Sequence, residues 1–126
     1  MKIETSILSP RATRIRFADT PGTVTFEDGW VRDHATLQVM APAKQVGVLL
    51  KDMRHLAEDA EVPYDEKRVQ IKRSEFASAV TTDGPEYYIA SYRVPVKNAQ
   101  EHLRALASRS ELDEQSHDRR VVGLVV

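Results

Sequence analysis

Cysteine is absent from this chain, which excludes disulfides, thiolate metal ligands and a cysteine nucleophile together. The absence agrees with a reducing compartment. Glycine is scarce: the 126 residues include five. None of them forms a G-x-G-x-x-G or phosphate-loop pattern, so nucleotide binding through a glycine-rich loop is not expected. An excess of either charge is also lacking. Eighteen Lys and Arg stand against 19 Asp and Glu, for a formal net charge of −1, whereas general nucleic-acid binders are strongly basic. Long apolar runs are missing too. The longest, residues 121–126 (VVGLVV), is interrupted only by Gly123 and is far shorter than the roughly 20 residues that span a bilayer. The N-terminal stretch MKIETSILSPRATRIRF carries charge throughout and has no apolar core of a signal peptide. No membrane association and a cytoplasmic location are therefore expected.

Catalytic patterns are equally sparse. No serine sits in a G-x-S-x-G or S-x-x-K context. His34, His55, His102 and His117 are scattered, and no two have the helical spacing of a metal site. Each reads as a surface histidine. The carboxylates around Glu58 to Glu61 and Glu111 to Glu114 read as solvated faces or helix ends, and their spacing does not match a calcium loop. No catalytic residue, metal or cofactor is assigned, and a non-enzymatic role is favoured over an enzymatic one.

The hydrophobic fraction of 41% and charged fraction of 29% are those of an ordinary globular domain. The length suits one domain, residues 1–126. Its first third alternates with the two-residue period of strands. Ile3, Thr5 and Ile7 form one run; Thr13, Ile15 and Phe17 a second; Val24 and Phe26 a third; Leu37 and Val39 a fourth. Thr20-Pro21-Gly22 is a turn, and Asp28-Gly29 predicts a hairpin leading into Trp30-Val31. Pro42 suits the first turn of a helix, and Val46, Leu49, Leu50, Met53, Leu56, Ala57 and Ala60 recur at spacings of three and four, the apolar stripe of that helix. Val62-Pro63 ends it. Val69 and Ile71 suggest a strand. Phe76 to Thr82 and Tyr87 to Val94 suggest a hairpin about Asp83-Gly84-Pro85, and the change of phase after Ile71 suggests a bulge near Arg73-Ser74 or two separate strands. Val96, Ala99, Leu103, Leu106 and Ala107 mark a second helix, residues 110–120 read as a loop or a short turn, and VVGLVV reads as a last, covered strand. From Ala35 onward the order is β-α-β-β-α-β. The fold expected is a two-layer α+β sandwich with a ferredoxin-like core over about 35–126, whose first and last strands form the central pair. A β-hairpin extension, 1–34, precedes it. The extension is read as lengthening the sheet, covering its open face or swapping onto a partner.

Three functional readings follow. Because the residues offer no chemistry and the β-rich edges can pair across a two-fold, the first is a non-catalytic binding or assembly protein. It would act through a protein–protein surface, with a protein partner or a second copy as a homo-oligomer, and Trp30 is a candidate interface anchor. The second is binding of RNA or single-stranded nucleic acid. KRVQIKR (Lys67 to Arg73) and YYIASYRV (Tyr87 to Val94) combine cations with aromatics, and Arg68, Lys72, Arg93, Tyr88 and Tyr92 are the candidate contacts. The third is a small-molecule sensor or enzyme with a pocket between sheet and helices.

Overall fold

The computed structural model describes residues 2–73 and 87–109. The expected strand at Phe76 to Thr82, the bulge at Arg73-Ser74, the turn at Asp83-Gly84-Pro85, the segment 110–120 and the strand at 121–126 lie wholly or partly outside the described residues.

Among the described residues six strands, β1 (Ile3–Ser9), β2 (Ala12–Phe17), β3 (Thr23–Glu27), β4 (His34–Pro42), β5 (Gln70–Arg73) and β6 (Tyr87–Pro95), form one antiparallel sheet. Their order is β1-β2-β3-β4-β6-β5. Helix α1 (Val46–Ala60) follows β4 after a 3-10 turn, and α2 occupies residues 99–109. The molecule is α+β in two layers, as expected. Along each strand the alternation seen in the sequence separates two faces. Ile15, Val24, Phe26, Leu37, Val39, Ala90, Tyr92 and Val94 are buried on one of them. Leu49, Met53, Leu56, Ala57 and Ala60 of α1 and Ala99 and Leu106 of α2 pack on that same face and complete the core. On the other face lie Arg14, Thr25, Thr36, Gln38, Lys72 and Arg93, partly or largely exposed. Among the described residues no helix is long and apolar enough to cross a membrane.

Two local devices join the layers. Helix α1 ends where Glu61 adopts a left-handed conformation (φ 57°, ψ 45°). The N–H of Val62 donates to the Ala57 carbonyl at 3.0 Å and that of Glu61 to the Glu58 carbonyl at 3.1 Å, the paired bonds of a Schellman ending. The turn between β2 and β3 passes over α1 at Gly22, whose φ is +103°. A Cβ there would lie 2.6 Å from the Gln38 carbonyl oxygen and 2.9 Å from Leu56 and Val39 side-chain carbons, so both backbone conformation and space require glycine.

Three expectations are corrected. The first strand of the core, β4, is bordered by β3 and β6, so both its edges are taken and it is not paired with a C-terminal strand. Of the roles open to the segment before residue 35, the structure shows lengthening of the sheet, because its strands follow one another as a meander and each pairs with the next. Pro42 does not open α1 but ends β4, and the helix begins at Val46 after the 3-10 turn. Trp30-Val31 does not continue a tight hairpin either. Strand β4 starts only at His34, and residues 28–33 form a loop.

Candidate functional site

The loop between β3 and β4 is held at both ends. The N–H of Asp28 donates to the Arg11 carbonyl at 2.9 Å. The Asp33 carboxylate accepts the Gly29 N–H at 3.2 Å through one oxygen and the Ala99 N–H, in the first turn of α2, at 2.8 Å through the other. The Val96 N–H also donates to the Asp33 carbonyl at 3.0 Å. Gly29 closes the loop tightly, since a Cβ there would stand 2.0 Å from the Arg32 carbonyl oxygen. Trp30 and Val31 are thereby carried out into solvent, 93% and 96% exposed. The Arg11 guanidinium lies 5.5 Å from the Trp30 ring centre, within cation–π reach.

Beneath Trp30 is an open cleft of about 580 Å³, whose walls include Trp30, Val31, Arg32, His34, Arg68 and Arg93. A second depression of about 500 Å³ shares Arg68 and Arg93 and adds Lys67 and Gln70. The walls of both carry cations and no carboxylate. Arg68 projects from a 3-10 turn at Glu66–Arg68. Its guanidinium donates to the Arg93 carbonyl at 3.5 Å and lies 6.0 Å from the Tyr92 ring centre. Arg93 donates to His34 Nδ1 at 3.2 Å, and His34 Nε2 meets the Glu27 carboxylate at 2.7 Å. An arginine donor requires an unprotonated Nδ1, so the proton sits on Nε2 and is donated to Glu27. Both ring nitrogens are thus occupied, and His34 orients Arg93 rather than serving as a free base. Among the described residues Arg32, Arg68 and Arg93 have no carboxylate partner. Unpaired guanidinium groups converging on one concavity make a local field that attracts anions, and their fork geometry suits carboxylate or phosphate oxygens.

Of the six binding residues proposed from sequence, the fold gathers Trp30, Arg68 and Arg93. Lys72 is on the same open face but pairs with Ile89, four residues along β6 from Arg93 and therefore about 13 Å away. Tyr88 is turned to the helix side and packs partly against the core. Tyr92 must be removed from the set. It is 2% exposed, its hydroxyl donates to the Pro63 carbonyl at 2.8 Å and accepts the Asp65 N–H at 3.2 Å, and its ring meets Tyr64 edge-on at 5.7 Å. The alternation that put Tyr88, Ala90 and Tyr92 on one face is correct, but that face is the buried one. Tyr64 donates to the Leu50 carbonyl at 3.2 Å. Burial and then the Glu66 carboxylate raise its phenol above the usual value of 10.0.

Sequence reasoning missed Arg32 and the Glu27–His34–Arg93 chain. Glu27 and His34 flank the 28–33 loop and stand opposite each other in the β3–β4 register; only the loop's length would have disclosed that pairing. His102 was also read as a surface residue. Its Nε2 meets the Ala60 carbonyl at 2.7 Å and its ring lies 5.3 Å from that of Phe26, so it joins α2 to the end of α1. Among the described residues no group of three or more His, Asp or Glu gathers as a metal site. No protein-family model matches the chain, no curated protein matches its sequence, and no solved structure matches it.

Proposed function

We propose that the chain is a non-catalytic binding protein that docks an acidic segment of a protein partner at the Trp30–arginine cleft. The observation that carries this reading is the junction of an almost fully exposed Trp30-Val31 pair with three guanidinium groups, those of Arg32, Arg68 and Arg93, that lack carboxylate partners. An aromatic anchor beside arginines is the composition of an interface hot spot. Charge complementarity would supply speed and selectivity of encounter. Nucleic acid is the weaker reading because Tyr88 and Tyr92 face the helices, which leaves Trp30 as the stacking surface beside these cations.

Trp30 is the sole tryptophan and reports on its own surroundings. The test is a fluorescence titration at low salt with polyglutamate and, separately, oligouridylate. Saturable quenching by polyglutamate that disappears in Arg68→Ala/Arg93→Ala supports the proposal. Saturation by oligouridylate alone would transfer the cleft to nucleic acid, and silence toward both would end the reading.

A further inference from the structure

Among the described residues strand β1 is paired on one side only. The Lys2 carbonyl accepts the Ala18 N–H at 3.0 Å, one residue before the Ile3–Phe17 pair of the register. Residues exchanging main-chain bonds alternate along an antiparallel ladder. Lys2, Glu4 and Ser6 therefore turn their N–H and C=O groups toward β2, and Ile3, Thr5 and Ile7 turn theirs outward. Among the described residues no strand receives them.

Exposed edges are ordinarily blunted by proline, by a bulge or by an inward-pointing charge. Between Ile3 and Ile7 none of these is present. Proline first occurs at position 10, and the register shift of the strand falls between Ile7 and Ser9. The one acidic residue, Glu4, lies on the sheet face opposite the helices, across from Arg16. Helix α1 packs over β4, β6 and β3, and Ile7 and Leu8 of β1 remain 80% and 48% exposed.

We propose that β1 pairs antiparallel with β1 of a second copy, about a two-fold axis through Thr5, so that two sheets become one. The pattern is complementary to itself in that register. Ile3 stands opposite Ile7 of the second copy on the helix side, Glu4 stands opposite Ser6, and the residues with outward amides form the hydrogen-bonded pairs, each exchanging two main-chain bonds. An axis through Glu4 would set two carboxylates face to face, which is destabilising. An axis through Ser6 would place Glu4 against Leu8 and Ile3 against Ser9, beyond the register shift. The pairing rests on the edge alone and is independent of the Trp30 cleft.

Because the chain lacks cysteine, any disulfide formed by a single introduced cysteine is intermolecular. Residues in a hydrogen-bonded antiparallel pair have Cα atoms about 5.5 Å apart, within the range a disulfide bridges. Diagonal positions lie roughly 8 Å apart, beyond that range. Under a glutathione redox buffer, Thr5→Cys is expected to form a covalent dimer and Ser6→Cys to stay at the 14.2 kDa of one chain. Light scattering of the native chain should give twice that mass, and Ile7→Lys should halve it without changing the circular dichroism spectrum. A native mass of one chain at the highest soluble concentration, or an Ile7→Lys variant that remains dimeric, overturns the pairing. Cross-linking of Ser6→Cys but not Thr5→Cys overturns the register.

Discussion

Replacing Asp33 by alanine tests how the Trp30 loop is built. The carboxylate accepts one backbone N–H from the loop and one from the first turn of α2, and alanine removes both acceptors while keeping the main-chain bond from Val96. A hydrogen bond to a charged group contributes about 1.5–3 kcal/mol when well shielded. Asp33 is only partly buried and its bond to Gly29 is long at 3.2 Å, so about 1 kcal/mol for each is the better figure, or about 2 kcal/mol together. For a chain of this size 1 kcal/mol moves the melting temperature by about 3–5 °C, which gives an expected fall of roughly 6–10 °C. Asp33→Asn keeps one acceptor oxygen and should lose about half as much. Thermal melts by circular dichroism measure the stability, and fluorescence anisotropy of Trp30 measures the loop, whose freer motion should lower it. The matched control is Asp28→Ala, whose exposed bond to Gln100 should matter by less than about 0.5 kcal/mol. An Asp33→Ala melt within about 1 °C of the parent, with unchanged anisotropy, would refute this account of the loop.

Other perturbations probe the frame around the site. Gly22→Ala should destabilise by roughly 2–4 kcal/mol, combining backbone strain with overpacking against Leu56 and Val39; a urea midpoint equal to the parent's would count against it. Tyr92→Phe strands the Pro63 carbonyl and the Asp65 N–H, so about 1–2 kcal/mol should be lost in urea melts while oligouridylate titrations stay unchanged. Tyr64 has a phenol raised by burial, so the folded chain holds that proton where the unfolded chain has released it. Stability from this group is present below pH 10 and falls as pH rises above it. Tyr64→Phe should lose part of that alkaline decline, and an identical decline in parent and variant would contradict the assignment.

How far the sequence spoke for the fold depended on the range of the interactions. The period-two runs at Thr13 to Phe17 and at Leu37 and Val39 and the stripe from Val46 to Ala60 were legible because burial of one face writes itself into near neighbours. The place of β6 beside β4 was not, since that pairing joins segments far apart in sequence and leaves no local pattern. At the site, Trp30, Arg68 and Arg93 were visible as residue types suited to binding. Tyr92 misled because alternation assigns residues to faces without saying which face the helices cover. His34 was passed over because its partners, Glu27 and Arg93, come from two different neighbouring strands.

The position of β4 between β3 and β6 has a consequence for the order in which a nascent chain can fold. Strands β1 to β4 pair in succession, so that part of the sheet can form from segments already close together. The other edge of β4 must wait for β6, which joins residues 34–42 to residues 87–95 across the whole of α1 and β5, and closing so long a loop is the slow part of such a topology. Until then a strand carrying Ala35, Leu37, Val39 and Ala41 on one face presents an unsatisfied margin to its surroundings. A ribosome stalled before residue 87 would hold that margin open, and a product truncated there would be prone to aggregate.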